Sequence, residues 1–301
     1  MSAPLRLGTR ASALARWQAA HVQALLHAHG RDCIVDYVTT AGDRRTDVPL
    51  AAIGGKGLFT QDIEAHLLAG ELDVAVHSLK DVPAQLPAGL VLGAALKRAD
   101  PRDALIAAPG MTLTTLPARA RLGTSSLRRQ AQALALRPDL QIVALRGNVD
   151  TRLRRWREGA YDALLLAVAG LERLELADAI AERLDPTQFV PAAGQGVLVL
   201  ECRAGDTAVL DAIAPLHHPP TAAAIAAERA FLRRLNCGCQ SPVAAYAQQG
   251  EGKLYLDALV AKADGTQVLR QAASAAPEQA EALGIHLAET LLAQGAASFL
   301  G

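Results

Sequence analysis

Short apolar runs alternate along the chain with longer stretches whose apolar positions recur every three or four residues, the pattern of strands interleaved with helices in an α/β protein. "PLRLGT" reads as a strand leading into a helix from about Ser12 to His29, with Gly30 as its stop. "CIVDYVTT" is the next strand. The glycine-rich turn "IGGKGLF" opens a helix that aligns Phe59, Ile63 and Leu67 in one buried stripe. "LDVAVHSL" is a third strand, and the polar residues Lys80 and Asp81 follow at its carboxyl end, where open α/β sheets gather their ligands.

A second unit begins near Asp100. It holds a strand at about Ala104 to Ala108, the turn "RLGTSSLRRQ", a helix to about Arg137, the strand "LQIVALRG", the segment "TRLRRWREG" and a buried strand, "ALLLAVAGL". The loop "PAAGQG" then precedes "VLVLEC", a strand expected to rejoin the first sheet, which makes the middle unit an insertion. A third unit starts near His218 with the Ala-rich helix "TAAAIAAERAFLRRL". A loop with two cysteines, three strand patterns and a closing helix from about Glu278 complete it. The predicted domains are 1–97 with 197–217, then 98–196, then 218–301.

A chain of 301 residues suits two or three domains. Aromatic residues are 3% against 51% hydrophobic overall, so the cores must be built from Ala, Leu and Val. No apolar run reaches the roughly 18 residues of a membrane span, and the start lacks a signal peptide's apolar core, which predicts a cytoplasmic protein. In that compartment the four cysteines are expected to be reduced, with Cys33 and Cys202 as core residues. The 30 basic and 30 acidic residues argue against a general nucleic-acid binder, but the balance is local. Residues 101–160 hold eleven arginines and four acids, a surplus of seven positive charges that suits an anionic ligand.

The turn "RLGTSSLRR" concentrates that chemistry. Thr124, Ser125 and Ser126 present hydroxyls at a helix entry beside Arg128 and Arg129, either as an anion site or as an ordinary helix cap with solvated arginines. Arg146 and Arg152 favour the anion site, since guanidinium groups at strand ends suit carboxylates or phosphates. Arg154, Arg155 and Arg157 read as a solvated face. "GGKG" is no nucleotide phosphate loop, because Gly57 follows Lys56 where Ser or Thr is required. Asp81, beside Lys80 on a strand whose neighbours face opposite ways, is either a proton-handling carboxylate or a turn initiator. For Cys237 and Cys239, C-x-C spacing with His217 and His218 makes a poor metal site, and no metal is predicted. A nucleophilic thiol near Arg233 and Arg234 is chemically more coherent. These features alone reach an α/β protein with a carboxylate or phosphate site.

Eight pieces in order, "LGTRASALARWQA", "GGKGLF", "VHSLKDVP", "GTSSLRRQ", "LRGNVDTRL", "LAVAGLERL", "PAAGQG" and "GCQSPVAAYA", resemble the porphobilinogen deaminase (hydroxymethylbilane synthase) family over nearly the whole chain. The resemblance implies a transferase of tetrapyrrole and haem biosynthesis. It condenses four porphobilinogen molecules head to tail with loss of ammonia, on a covalent dipyrromethane primer, and releases hydroxymethylbilane. The family motif implies that Cys239 carries the primer through a thioether and that Cys237 is a bystander. It also implies that Asp81 is the catalytic carboxylate, and that Ser12, Gln18, Lys80, Thr124, Ser125, Ser126, Arg128, Arg129 and Arg146 hold the cofactor. Arg10, Arg152, Arg173, Lys56 and Phe59 fall to the substrate. Ala13 and Asp150 depart from common family patterns without touching that chemistry. The implied fold is α/β with three domains, the first two like a type II periplasmic-binding-protein pair and the third a small domain with a three-stranded sheet. A monomer with a small-molecule substrate and no nucleic-acid or membrane partner is expected. A non-enzymatic carboxylate-binding module is the rival reading.

Overall fold

The computed structural model describes residues 3–40, 60–238 and 240–300, so Lys56, Phe59 and Cys239 lie outside the described residues. The chain divides into two compact units, Met1–Ala99 with Val197–Ala222, and Asp100–Gly196 with Ala223–Gly301. No described helix is long and apolar enough to cross a membrane.

In the first unit, β1 (Leu5–Arg10), β2 (Cys33–Val38) and β3 (Val74–Ser78) run parallel in the order β2-β1-β3. The sheet continues through an antiparallel strand, Leu198–Arg203, to Leu90–Ala95, which the sequence pattern did not single out. The expected return of "VLVLEC" to the first sheet is therefore observed. Alternation assigns the two faces. Val74 and Val76 pack with Leu7, Leu198 and Leu200, while Ala75 turns to the other side with Ile63 and Leu67. Helix Ala13–Ala28 buries Ala15, Ala19, Val22 and Leu26 along one stripe. Ser12 caps it, its Oγ accepting from the Ala15 N–H at 3.3 Å, and Gly30 follows with φ +71°. Cys33 packs against this core and Cys202 is fully buried in it.

The sheet of the middle segment repeats the arrangement. With Leu90–Ala95 as β4, it contains β5 (Asp103–Ile106), β6 (Arg121–Gly123), β7 (Gln141–Val143), β8 (Ala163–Ala167) and β9 (Glu182–Arg183), in the order β7-β6-β8-β5-β9. β6, β7 and β8 are parallel and β5 is antiparallel to both neighbours. Both faces are covered, Leu105 and Leu165 entering one core, Ile106 and Leu164 the other. One expectation is corrected: "ALLLAVAGL" is strand only to Ala167, and Val168–Arg173 is helix. A continuous apolar run has no period, so it could not mark where strand gives way to buried helix.

The last segment of the second unit is a separate three-stranded antiparallel sheet. With Leu198–Arg203 as β10, it is built from β11 (Val243–Gly250), β12 (Lys253–Ala261) and β13 (Val268–Ala275). Helices Pro219–Arg234 and Ala280–Ala293 complete it around Phe231, Leu256, Leu287 and Leu291. The two helices approach closely at Gly284, where a Cβ would lie 2.1 Å from the Ala227 carbonyl oxygen. The expected mixed α/β class with a small three-stranded domain is thus observed, and Ala, Leu and Val dominate its cores.

Candidate active site

In the first unit, the carboxyl ends of β1 and β3 open on the same edge, because the two strands are parallel. Arg10 ends β1 and is half-buried; Ser12 begins the helix behind it. Gln18, buried on that helix, donates from Nε2 to Ser78 Oγ at 2.8 Å and so ties the helix to the end of β3. Arg10, Ser12, Gln18, Ser78 and Asp81 line one pocket. Beneath it His77 Nε2 lies 3.1 Å from Glu201 Oε2, both side chains buried. The Glu64 carboxyl is raised, chiefly by its own burial, with Glu201 adding to the shift and Thr60 and His77 opposing it.

Sequence reasoning misjudged the backbone at Asp81. β3 stops at Ser78, and Leu79–Asp81 form a 3₁₀ turn, so the opposite-face argument for Lys80 and Asp81 does not apply there. The turn leaves Asp81 exposed and Lys80 half-buried.

In the second unit, the turn after β6 is assembled by its own hydroxyls. Thr124 Oγ1 accepts from Ser126 N at 3.2 Å, and Ser126 Oγ caps helix Leu127–Leu136 by accepting from Arg129 N. Ser125 Oγ donates to Leu145 O at 2.8 Å and accepts from Leu145 N at 2.9 Å, which fixes the residue before Arg146. The chain then turns at Gly147, where φ is +97° and a Cβ would meet Thr151 at 2.8 Å. Arg152, on helix Val149–Arg157, donates from Nε to the Gly147 carbonyl at 2.7 Å.

Arg128 and Arg129 are not solvated. Both are buried, and both converge on Asp103, the first residue of β5. Arg128 Nη1 lies 2.7 Å from Oδ2 and Nη2 3.1 Å from Oδ1; Arg129 Nε and Nη2 lie 2.8 and 2.7 Å from Oδ1. Burial alone would raise the Asp103 carboxyl, but the two guanidiniums overturn that and hold it well below the usual carboxylate range. Arg173 donates to Gly196 O at 2.9 Å, and its burial brings the guanidinium down to about 10, still protonated at neutral pH.

The regional charge surplus shrinks on inspection. Arg102 pairs with Asp100 and Arg121 with Asp162, both acids just outside the counted window, while Arg137 pairs with Asp139 and Arg154 with Glu158. Arg233 and Arg234, expected near a reactive thiol, pair with Glu281 and Glu289. Cys237 is buried in the core of the last segment, and His217 and His218 bond to Ala95 N and Thr221. The sequence reading missed Asp103 as a partner, although an acid leading the wholly apolar strand "DALI" signals a buried ion pair. It missed Gln195 and Glu228 too. A lone acid in the Ala-rich run "AAAIAAERA" was the available signal for Glu228.

A dipyrromethane is acidic, carrying acetate and propionate groups on each ring. The donor set of the second unit suits it, because the guanidiniums of Arg128 and Arg129 follow directly on the hydroxyl-bearing residues Thr124, Ser125 and Ser126. A larger cavity of about 460 Å³, lined by Asp185, Tyr246, Tyr255 and Asp257, presents two carboxylates and does not suit an acidic ligand.

Residues 5–211 match the family model described as porphobilinogen deaminase, dipyromethane cofactor binding domain, and residues 222–293 match the porphobilinogen deaminase C-terminal domain. Among similar curated proteins, the porphobilinogen deaminase of Syntrophotalea carbinolica is 55% identical over 98% of this chain and 94% of its own length. Those of Geobacter metallireducens (50% identical, 98% and 93% covered) and Moorella thermoacetica (49%, 98% and 95%) are also similar. Among solved structures, an ABC-transporter periplasmic substrate-binding protein from Coxiella burnetii aligns with TM-score 0.45 at 16% identity, covering 71% of this chain and 92% of that one. The periplasmic aliphatic sulphonate binding protein of Escherichia coli gives 0.43 at 15%, covering 78% and 71%. With both halves of the chain matched and close relatives aligned nearly end to end, this chain belongs to the porphobilinogen deaminase family.

Proposed function

We propose that this protein condenses four porphobilinogen molecules into hydroxymethylbilane on a dipyrromethane primer held by a thioether to Cys239. The observation that carries the reading is the buried Arg128–Arg129 pair sharing Asp103, which supplies fixed positive charge for an acidic oligopyrrole. When bound, the dipyrromethane supplies a free pyrrole α-carbon as the nucleophile.

In each condensation the substrate's aminomethyl C–N bond would break and a C–C bond would form to the free α-carbon of the terminal pyrrole, which is the primer's own only in the first addition. The α-proton leaves with the amine as ammonium, so charge and protons balance. Asp81, exposed on its 3₁₀ turn, is the carboxylate that stabilises the cation left on the substrate ring and assists the proton movement. On the first unit, Arg10, Ser12, Gln18 and Lys80 are assigned to pyrrole carboxylates; on the second, Thr124, Ser125, Ser126 and Arg146 are assigned the same chemistry. Arg152 and Arg173 serve the incoming ring, and Lys56 and Phe59 help to exclude water. We assign 1–97 with 197–217, 98–196 and 218–301 as three domains of a cytoplasmic monomer.

Intact-protein mass spectrometry tests the reading. The expected result is a mass increment of two pyrrole units on the peptide containing Cys239 and turnover of porphobilinogen. Active protein of unmodified mass overturns it.

A further inference from the structure

Among the described residues, the buried side-chain oxygens and nitrogens that lack a hydrogen-bond partner gather in one place in the first unit: Glu64 Oε1, His77 Nε2 and both carboxylate oxygens of Glu201. All three residues are buried. His77 on β3 stands opposite Val199 of β10, and Glu201 stands opposite Ala75, so the imidazole reaches a diagonal neighbour across the antiparallel pair. Nε2 lies 3.1 Å from Glu201 Oε2, close enough to pair as charges but without the alignment of a hydrogen bond. Glu64 joins them from helix Gln61–Leu68. Burial is the main cause that raises its carboxyl; Thr60 opposes the shift, Glu201 adds to it and His77 opposes it.

Polar groups buried without hydrogen bonds cost stability. Two residues earlier on the same face of β3, Ala75 packs on Ile63 and Leu67, so an apolar side chain at position 77 would suit the core better. What the imidazole adds is a charge that can be gained and lost in the wall of the pocket it lines with Arg10, Ser78 and Asp81. It also sits where β3 is pinned. Gln18 holds Ser78, Leu79 N bonds to Val197 O, and the 3₁₀ turn carrying Asp81 begins there. We propose that His77 is a positioning residue for Asp81: as an imidazolium paired with Glu201 it anchors the end of β3, and with it the turn from which Asp81 reaches the pocket. The titratable and charged groups around the imidazole are Glu201 from β10, Glu64 from its helix, and Arg10 and Asp81 in the pocket. Loss of the proton dissolves the pair and releases that anchor. The inference rests on the function proposed above, in which Asp81 is the working carboxylate.

The test uses the whole protein, with kcat and KM taken per chain carrying the two-pyrrole adduct, from about pH 5 to about pH 9. His77→Gln keeps a polar side chain but cannot carry the charge. Where the wild-type imidazole is protonated, the variant's kcat is expected to be about tenfold lower, with KM within about twofold. As pH rises, the ratio of wild type to variant should shrink toward one, because wild type then loses the same pair. A ratio that stays constant across pH, as lost packing alone would give, overturns the inference. In an Asp81→Asn background, His77→Gln should leave the residual rate nearly unchanged, since a residue acting through Asp81 has nothing left to position; a further loss of about tenfold there also overturns it. Where His77→Gln does not fold, Glu64→Gln decides. It removes a carboxylate beside the imidazolium, so the ratio of wild type to variant should rise at intermediate pH and return toward one at both ends, and a flat ratio overturns the inference. A wild type that does not turn over porphobilinogen defeats the proposed function instead, which separates the two failures.

Discussion

The two polar clusters, one in each unit, are built on opposite plans. In the second unit, Arg128 and Arg129 are buried and locked to Asp103 by several short hydrogen bonds, a charge that cannot wander. In the first, Asp81 stands exposed on a one-turn 3₁₀ segment whose neighbour Ser78 is held by Gln18. A fixed cation cluster suits holding an anion, since its dipoles need no reorganisation when the ligand arrives. A carboxylate at the surface of a tight turn suits contact with each new substrate. Holding and chemistry can therefore be damaged separately.

The sharpest way to break that contrast is Asp81→Ala. Loss of a general acid–base or charge-stabilising group is expected to lower kcat by about 10²–10⁴-fold. An exposed residue away from the core changes stability by about 0.5 kcal/mol or less, so thermal unfolding stays near wild type. Single-turnover assays with porphobilinogen and a melting curve check both halves; normal turnover removes Asp81 from the mechanism.

Asp103→Asn is the opposite case. Removing the carboxylate strands two buried guanidiniums, at a cost of about 3–5 kcal/mol in chemical denaturation. The sign with pH follows from the depressed Asp103 carboxyl. Below the unfolded carboxyl value of about 4, the unfolded chain takes up a proton that the native chain refuses. This group's contribution is therefore complete above that pH and falls away as the solution becomes more acid. Urea midpoints measured from pH 6 down to pH 3 should decline more steeply in wild type than in Asp103→Asn. Parallel slopes would show that the cluster is not what titrates.

Much of this contrast could be read before the fold was known, and the part that could not has a physical reason. Strand periods placed β1, β3 and β7 and put Asp81 and Arg146 near strand ends, because those signals are local, whereas Arg121–Gly123, read only as part of a turn, is the short strand β6. The burial of Arg128 and Arg129 depends on Asp103, twenty-five residues earlier, and on Gln195, sixty-six residues after Arg129, and no local window contains such a set. The 3₁₀ turn at Asp81 escaped for a related reason. Its Leu79 N–H bonds to Val197 O across the sheet, so a partner remote in sequence decides where β3 ends.

Arg146→Leu sharpens the comparison within the second unit. Arg146 is half-buried and sits beyond the Ser125–Leu145 tie, outside the Asp103 cluster. Its loss is expected to slow elongation about tenfold while costing no more than about 1 kcal/mol of stability. Arg128→Leu should impair both elongation and stability, because it also removes a partner of Asp103. Quench-flow product analysis beside denaturation curves separates the two. Equal stability losses in both variants would erase the distinction between locked and adaptable arginines.

The smallest expected effect belongs to Cys237→Ala, and it tests the asymmetry of the C-x-C pair. Cys237 is buried beside Phe231, Leu235 and Val243, and its Sγ lies 3.9 Å from Leu232 O. A thiol so placed behaves as a small apolar side chain. Shortening it to a methyl group removes one heavy atom from a packed core, worth about 1 kcal/mol. The two-pyrrole adduct should stay on the peptide containing Cys239 at full occupancy, with kcat unchanged. In Cys239→Ala the adduct should vanish while the melting temperature of the unloaded chain is preserved. An adduct that survives Cys239→Ala and disappears from Cys237→Ala would exchange the roles of the two sulfurs. The buried core of the last segment would then have to open for its cysteine to react.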